Sequence, residues 1–249
     1  MKLNCDLGES FGSWKMGVDD KVMPFIDQAN IACGFHAGDP LTLLNTLTLA
    51  DKHNVEIGAH PSYPDLVGFG RRSMQCSDAE LSAMLLYQIA AIDGVARSQS
   101  LTLSYVKPHG ALYNDMMKHA AIRQTILQTI AQYNQSGDRA LKLMLQATPD
   151  FSNHQKEAKQ HKVELLAEAF ADRCYDDDGS LLSRQHNKAV HSEEAMLEQV
   201  QQLLEHGTIT TLSGNVLNLH VDSLCVHGDN MAGVNAIEKI RQLLTQASS

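Results

Sequence analysis

No basic block, no phosphate-binding glycine loop, no Cys-x-x-Cys pair and no long apolar leader segment occurs in this 249-residue chain. Each absence narrows the reading. With 20 Lys+Arg against 29 Asp+Glu, a net charge of −9 and no basic cluster, the sequence speaks against a nucleic-acid binder. An anionic substrate stays open, because a site can be locally positive in an acidic protein. The opening residues, Met1-Lys2-Leu3-Asn4-Cys5-Asp6, lack the apolar core of a secretory signal, and no stretch reads as a membrane span. The cysteines, five in number, are Cys5, Cys33, Cys76, Cys174 and Cys225; an odd set without paired spacing suggests free thiols in a reducing, cytoplasmic setting. Neither Gly-x-Gly-x-x-Gly nor Gly-x-x-x-x-Gly-Lys-Ser/Thr occurs, which weakens a dinucleotide fold and a phosphate-loop ATPase.

What is present is a repeated alternation of short apolar runs with amphipathic stretches. Strands are expected at Lys2–Leu7, Ala29–Cys33, Val55–Ala59, Leu101–Val106, Leu141–Gln146, Val163–Phe170 and Ser223–Val226. Ser77-Asp78-Ala79-Glu80 reads as a capping box before a long helix, and Asp39-Pro40 as an N-cap and first turn. Further helices are expected from Ser192 to His206 and around Val234 to Leu244. Residues 208–221 alternate around a Ser213-Gly214-Asn215 turn and read as a small β excursion. About seven β/α units in one domain, 1–249, with no repeat or linker, favour a TIM-like barrel of about seven parallel strands.

The chemistry is concentrated directly after the apolar runs. Asp6 and Glu9 follow the first, His36 the second, His60 the third, Lys107 and His109 the fourth, Asp172 and Arg173 the sixth, His227 and Asp229 the last. Any one of these could be an N-cap or a satisfied structural histidine. Four histidines at four strand ends point instead to one shared pocket. The long connection from Ser62 to Cys76 carries Tyr63, Phe69, Arg71 and Arg72, as an ordered functional loop would.

These segments together resemble the LamB/YcsF family, whose members are described as the A component of an ATP-dependent 5-oxoprolinase. The matching stretches are Leu3-Asn4-Cys5-Asp6-Leu7-Gly8-Glu9, Ala29 through Asp39, Gly58-Ala59-His60-Pro61-Ser62-Tyr63-Pro64-Asp65 and Phe69-Gly70-Arg71-Arg72. They continue with Val106 through Asn114, Glu168-Ala169-Phe170-Ala171-Asp172-Arg173 and His227-Gly228-Asp229. Two departures occur: Leu182-Ser183-Arg184 stands where the family has valine-proline-arginine, and Asn230-Met231 where it has threonine and proline.

The resemblance implies a barrel related to glycoside hydrolase and deacetylase barrels. It implies ATP-coupled opening of 5-oxo-L-proline to L-glutamate, with partner subunits B and C, ATP being bound mainly through those partners. On this reading His36, His60, Asp6 and Glu9 handle water and protons, while Lys107, Arg173 and Arg72 hold the carboxylate or a transient phosphate, with Asp172 and Asp229 beside them. His109 and His227 orient substrate or stabilise an oxyanion. One rival is a metal-dependent deacetylase or amidohydrolase, with a divalent metal on Asp6, His36 and His60. Another is a non-catalytic chain that delivers substrate.

Overall fold

The computed structural model describes residues 1–16, 18–137, 140–228 and 231–247. In chain order, β1 (Lys2–Leu7) leads through the short α1 (Asp19–Val22) to β2 (Gln28–Ala32), followed by α2 (Pro40–Lys52) and β3 (Glu56–His60). The long α3 (Asp78–Ser98) precedes β4 (Leu103–Val106), and α4 (Gly110–Lys118) and α5 (Ala120–Gln135) precede β5 (Lys142–Gln146). Then come α6 (Phe151–Gln160), β6 (Leu165–Phe170), α7 (Glu193–His206), the strands β7 (Thr208–Thr210) and β8 (Val216–Asn218), β9 (Ser223–Cys225) and α8 (Met231–Ala247). Strands β1 to β6 pair in sequence, all parallel, and β9 closes the ring between β6 and β1. β7 and β8 form the small antiparallel excursion outside it.

The seven barrel strands lie within about two residues of their expected positions. Parallel strands sandwiched by helices read as continuous apolar runs, but here alternate residues are polar. Leu3, Cys5 and Leu7 join the apolar core between sheet and helices. Asn4, Gln28, Asn30 and Ser223 are buried with them and bond to one another across the barrel interior. Tyr105 on β4 donates its hydroxyl to Asn30 Oδ1 at 2.7 Å. Every buried donor in this interior ladder finds an acceptor, which offsets the cost of burying it.

The ring of Tyr105 occupies the space that a side chain on Gly58 would need, and the β3–β4 register shifts just there, between Ile57 and Gly58. Gly58→Ala is therefore expected to destabilise the chain by about 1–3 kcal/mol, the usual cost of overpacking a core. A lower urea midpoint at unchanged slope would register it; an unchanged midpoint would mean the ring has somewhere else to go.

Local signals set the starts of α2, α3 and α7. Asp39 caps α2, accepting from the Leu41 and Thr42 amides at 2.9 and 3.0 Å, with Pro40 in the first turn. Ser77 and Glu80 form the capping box of α3. One expectation needs correction: α3, at 21 residues, is long and apolar enough to cross a membrane by length and composition. It packs against α2 and α5 and buries Leu81, Leu85, Ile89 and Ile92 together with the polar Gln88 and Asp93, as a core helix of a barrel does.

Candidate active site

Asp6 lies near the carboxyl end of β1, His60 ends β3, and Lys107 and His109 directly follow β4. Glu168 lies inside β6, Asp172 follows it, and His227 follows β9. All but Asp172 and Glu168 line one cavity of about 640 Å³. The strand ends thus converge where barrel geometry places a site.

Lys107 is the floor of this cavity. Its ammonium, 3 % exposed, lies 3.0 Å from Asp6 Oδ1 and 2.7 Å from Glu168 Oε1. Burial works against its charge, but the Asp6 and Glu168 carboxylates beside it prevail and hold it well above the usual lysine value. Burial likewise works against Asp6, yet His60 and Lys107 keep it well below the usual carboxylate range. Asn30 Nδ2 donates to Asp6 at 2.8 Å, and the Tyr113 hydroxyl donates to Glu168 at 2.9 Å. The sequence suggests that Lys107 holds a substrate anion; its charge is instead spent on two fixed carboxylates.

The histidines form a stack with a determinable proton pattern. His60 Nδ1 donates to the Lys107 carbonyl at 2.7 Å, and His109 Nε2 donates to the Phe69 carbonyl at 2.9 Å. The two remaining nitrogens, His60 Nε2 and His109 Nδ1, face each other at 2.9 Å. Two lone pairs cannot meet at that distance unless a proton or a cation lies between them. Burial and the neighbouring His60 push His109 well below the ordinary histidine value; His60 Nε2 also lies 3.4 Å from Asp6 Oδ2. His36 stacks flat on His109 with ring centroids 3.7 Å apart and reaches Glu9 Oε1 at 3.3 Å and Ser62 Oγ at 3.0 Å. Burial and the adjacent His109 keep His36 well below the ordinary histidine value.

The Ser62–Cys76 connection holds this stack from above. Phe69 and Gly70 both have positive φ, 53° and 65°, which turns the Phe69 carbonyl onto His109. A side chain on Gly70 would collide with His36 and His109, so glycine is required for so close an approach.

After β9, His227 Nδ1 sits 3.0 Å from both oxygens of Asp172, and its ring stacks on Phe170. The carboxylate fixes Nδ1 as the donor and leaves Nε2 facing Asp6 Oδ2 at 4.0 Å.

Several expectations change in the structure. Arg72 does not reach the cavity: its guanidinium grips Asp65, with Nε 3.0 and 3.1 Å from the two oxygens, and is otherwise exposed. Arg71 lines the cavity in its place. Asp172 lies against His227 and outside the cavity lining, and His36 stacks on His109, likewise outside that lining. Asp229 lies outside the described residues. Sequence reasoning misses Glu168, Tyr113 and Arg184; an acid inside the otherwise apolar run Leu165–Phe170 is the available signal for Glu168.

The donor atoms that could hold a metal also shift. Glu9, His36, His60 and His109 each bring one ligand atom, all within 4.8 Å of one another. The expected trio of Asp6, His36 and His60 is thus replaced by a set in which Glu9 and His109 stand in for Asp6. Asp6, Cys225 and His227 form a second such group.

The LamB/YcsF family model matches residues 1–249, the full chain. The chain belongs to the LamB/YcsF family. A relative in this family from Vibrio parahaemolyticus, named as the A component of 5-oxoprolinase, is 50 % identical over 245 residues, covering 98 % of this chain and 95 % of the relative. Another of the same name, from Pseudomonas fluorescens, is 52 % identical over 248 residues, covering 99 % and 98 %. A crystal structure of a lactam utilization protein from Thermus thermophilus superposes with a TM-score of 0.87 at 34 % identity, covering 100 % of this chain and 97 % of that one. The seven-stranded TIM-like barrel and the family membership expected from the sequence both hold.

Proposed function

We propose that this chain is the lactam-opening component of an ATP-coupled 5-oxoprolinase, converting 5-oxo-L-proline to L-glutamate with partner subunits B and C in the cytoplasm. The relatives' names support the reaction and, by lettering these chains as one component of the enzyme, an assembly of more than one kind of chain. Five free cysteines support the reducing compartment. ATP binding falls mainly to the partners, because this chain carries no phosphate-binding loop.

The observation that carries the reading is that His227 and His60 both line one cavity and reach the same Asp6 oxygen, at 4.0 and 3.4 Å, while His60 meets His109 through ring nitrogens 2.9 Å apart, a pair that can store a proton. Opening a lactam needs a proton taken from water and another delivered to the departing ring nitrogen. Phosphorylation of the lactam oxygen makes the ring carbon a better electrophile. His227 Nε2, freed by the Asp172 contact, takes the proton from the attacking water. The His60–His109 pair supplies the proton to nitrogen as the carbon–nitrogen bond breaks, with Asp6 beside that pair; the acyl phosphate left behind takes a second water, which releases phosphate and leaves L-glutamate. Lys107 keeps the floor from carrying two uncompensated carboxylates.

The deciding experiment measures glutamate formation from 5-oxoproline and ATP by matched B and C partners, with and without this chain. Turnover is expected only with it. Full turnover by B and C alone would leave the chain a delivery component. Within the reconstituted system, Asp172→Asn should lower kcat by roughly 10–100-fold with KM little changed, the usual loss when a carboxylate partner of a working histidine is removed. Wild-type kcat in that variant would remove His227 from the mechanism.

A second reading is favoured by the facing nitrogens of His60 and His109. A divalent cation on Glu9, His36, His60 and His109 would satisfy the same lone pairs and, when bound, would lower the pKa of a water. Metal analysis of protein purified without added metal, with activity before and after chelation, separates the two. Stoichiometric metal and chelator-sensitive turnover would replace the shared proton with the cation.

A further inference from the structure

The end of β5 carries hydrogen-bonding capacity that the proton chemistry leaves unused. Gln146, the last residue of that strand, lines the cavity and is 4 % exposed. Its Nε2 donates to the Gly179 carbonyl at 2.6 Å. That contact fixes which way the amide points, because a flipped amide would set one oxygen against another. Oε1 is therefore the open end of the side chain, and no described residue donates to it. Leaving a buried amide oxygen without a donor is unfavourable, so its partner comes from whatever fills the cavity. Thr148, two residues on, also lines the cavity, and its buried Oγ1 has no hydrogen-bond partner among the described residues.

The Gly179 carbonyl that orients Gln146 is itself held firmly. The Gly179 amide donates to the Asp176 carbonyl at 2.9 Å, and the Asp176 amide to the Ser180 carbonyl at 2.8 Å. Thr211 Oγ1, beyond β7, donates to Asp177 at 2.5 Å and ties this turn to the β7–β8 hairpin. Gln146 also stands beside the floor. In the β5–β6 register it pairs with Glu168, whose Oε1 is 2.7 Å from the Lys107 ammonium. In the ring order β3-β4-β5, Lys107 follows β4 and separates Gln146 on β5 from His60 on β3.

We infer that Gln146 is the residue that selects a lactam: its Oε1 accepts the ring N–H, and a ring with oxygen in that place is disfavoured. The inference rests on the lactam-opening reading and adds the contact that distinguishes a cyclic amide from a cyclic ester. An amide oxygen only accepts. A lactam offers it a hydrogen, whereas a lactone of the same size offers lone pairs and leaves the buried Oε1 unpaired against a second oxygen. The same bond serves the reaction. As water adds to the ring carbon, the nitrogen lone pair turns out of the ring plane. An N–H held by Gln146 leaves that lone pair open to the proton from the His60–His109 pair, on the other side of Lys107.

Titration calorimetry of the purified chain with 5-oxo-L-proline, and with the lactone acid that has a ring oxygen in place of its N–H, tests the contact without ATP, partners or turnover. Wild type is expected to prefer the lactam roughly 10–100-fold, the range for a buried polar group left unpaired. Gln146→Met keeps most of the volume and loses the acceptor, so the preference should disappear. Gln146→Glu keeps an accepting oxygen and should keep the preference, with both acids bound more weakly. The ratio separates recognition from support, because a slackened Gly179 turn would weaken both acids alike. Circular dichroism checks folding; should Gln146→Met not fold, wild type and Gln146→Glu carry the test. A wild type that binds both acids equally, or neither, overturns the assignment. So does an undiminished preference in folded Gln146→Met, or its loss in folded Gln146→Glu. Glutamate formation that still needs this chain after such a result leaves the proposed function standing. A Gln146-dependent lactam preference in a chain that adds nothing to glutamate formation keeps the contact and sinks the function.

Discussion

Lys107→Met is expected to destabilise the chain by about 3–5 kcal/mol, because it removes one partner of a buried ion cluster and strands the others. Asp6 and Glu168 are 6 % and 0 % exposed, and Lys107 Nζ lies within 3.0 Å of both. From the sequence alone Lys107 reads as a holder of a substrate anion whose charge could be removed with the fold intact; its burial reverses that second expectation. The dependence on pH has a definite sign. Asp6 is held below its unfolded value, so its contribution is present above the unfolded carboxylate range and is lost as pH falls through its folded value. Lys107 is held above its unfolded value, so its contribution is present below about pH 10.5 and is lost as pH rises beyond its folded value. The wild-type advantage over Lys107→Met should therefore be full between about pH 4 and pH 10.5 and shrink in acid. Urea unfolding at pH 7 and in acid measures this. Adding Glu168→Gln to Lys107→Met should recover part of the loss, since one stranded charge is gone. Lys107→Arg should recover less than the native lysine gives, a planar guanidinium being poorly shaped for a compact site. Equal stability of Lys107→Met and wild type at pH 7 would mean that the cluster is not a closed, buried one.

How much of this is legible follows from what each residue answers to. Strand positions rest on local apolar runs, and all seven barrel strands can be read from them. Helices α2, α3, α7 and α8 carry caps or strong apolar spacing. The connections that form α4, α5 and α6 do not read as helices. α6 buries only Phe151 and Ala158, and α5 buries Arg123, Thr125 and Thr129 beside its isoleucines, which dilutes the period. Site residues at strand ends are legible because the barrel sends every strand end to one place. Their partners are not. Nothing in the spacing of Arg71 and Arg72 says which one faces the cavity, since the choice depends on Asp65 folding back to hold Arg72. The interior ladder of Asn4, Gln28, Asn30 and Tyr105 is written in the sequence as polar residues alternating with apolar ones, a period-two signal easily passed over where parallel strands are expected to be apolar throughout.

The histidines give the largest expected effect on turnover, and the structure separates residues that the sequence treats alike. His60→Ala should lower turnover in the reconstituted system by about 10²–10⁴-fold, the range for loss of a general acid or base. It faces the cavity, meets His109 across 2.9 Å and is the nearest histidine to Asp6 Oδ2, at 3.4 Å. His109→Ala should fall in the same range, because it removes the Nδ1 that faces His60 Nε2 at 2.9 Å. The sequence pairs His36 with His60 as an equal. It lies behind the wall, stacked on His109 and bonded to Glu9 and Ser62, so it positions the pair without touching substrate. His36→Ala should therefore cost less in kcat than His60→Ala, and His36→Gln, which keeps polar atoms near Glu9 and Ser62, should recover part of the loss. Comparing kcat and KM for the four variants, with folding checked by circular dichroism, orders the stack. A loss in His36→Ala equal to that in His60→Ala, unrelieved in His36→Gln, would move His36 into direct contact with the reacting groups. Near-normal turnover in folded His60→Ala would take the proton store out of the mechanism altogether.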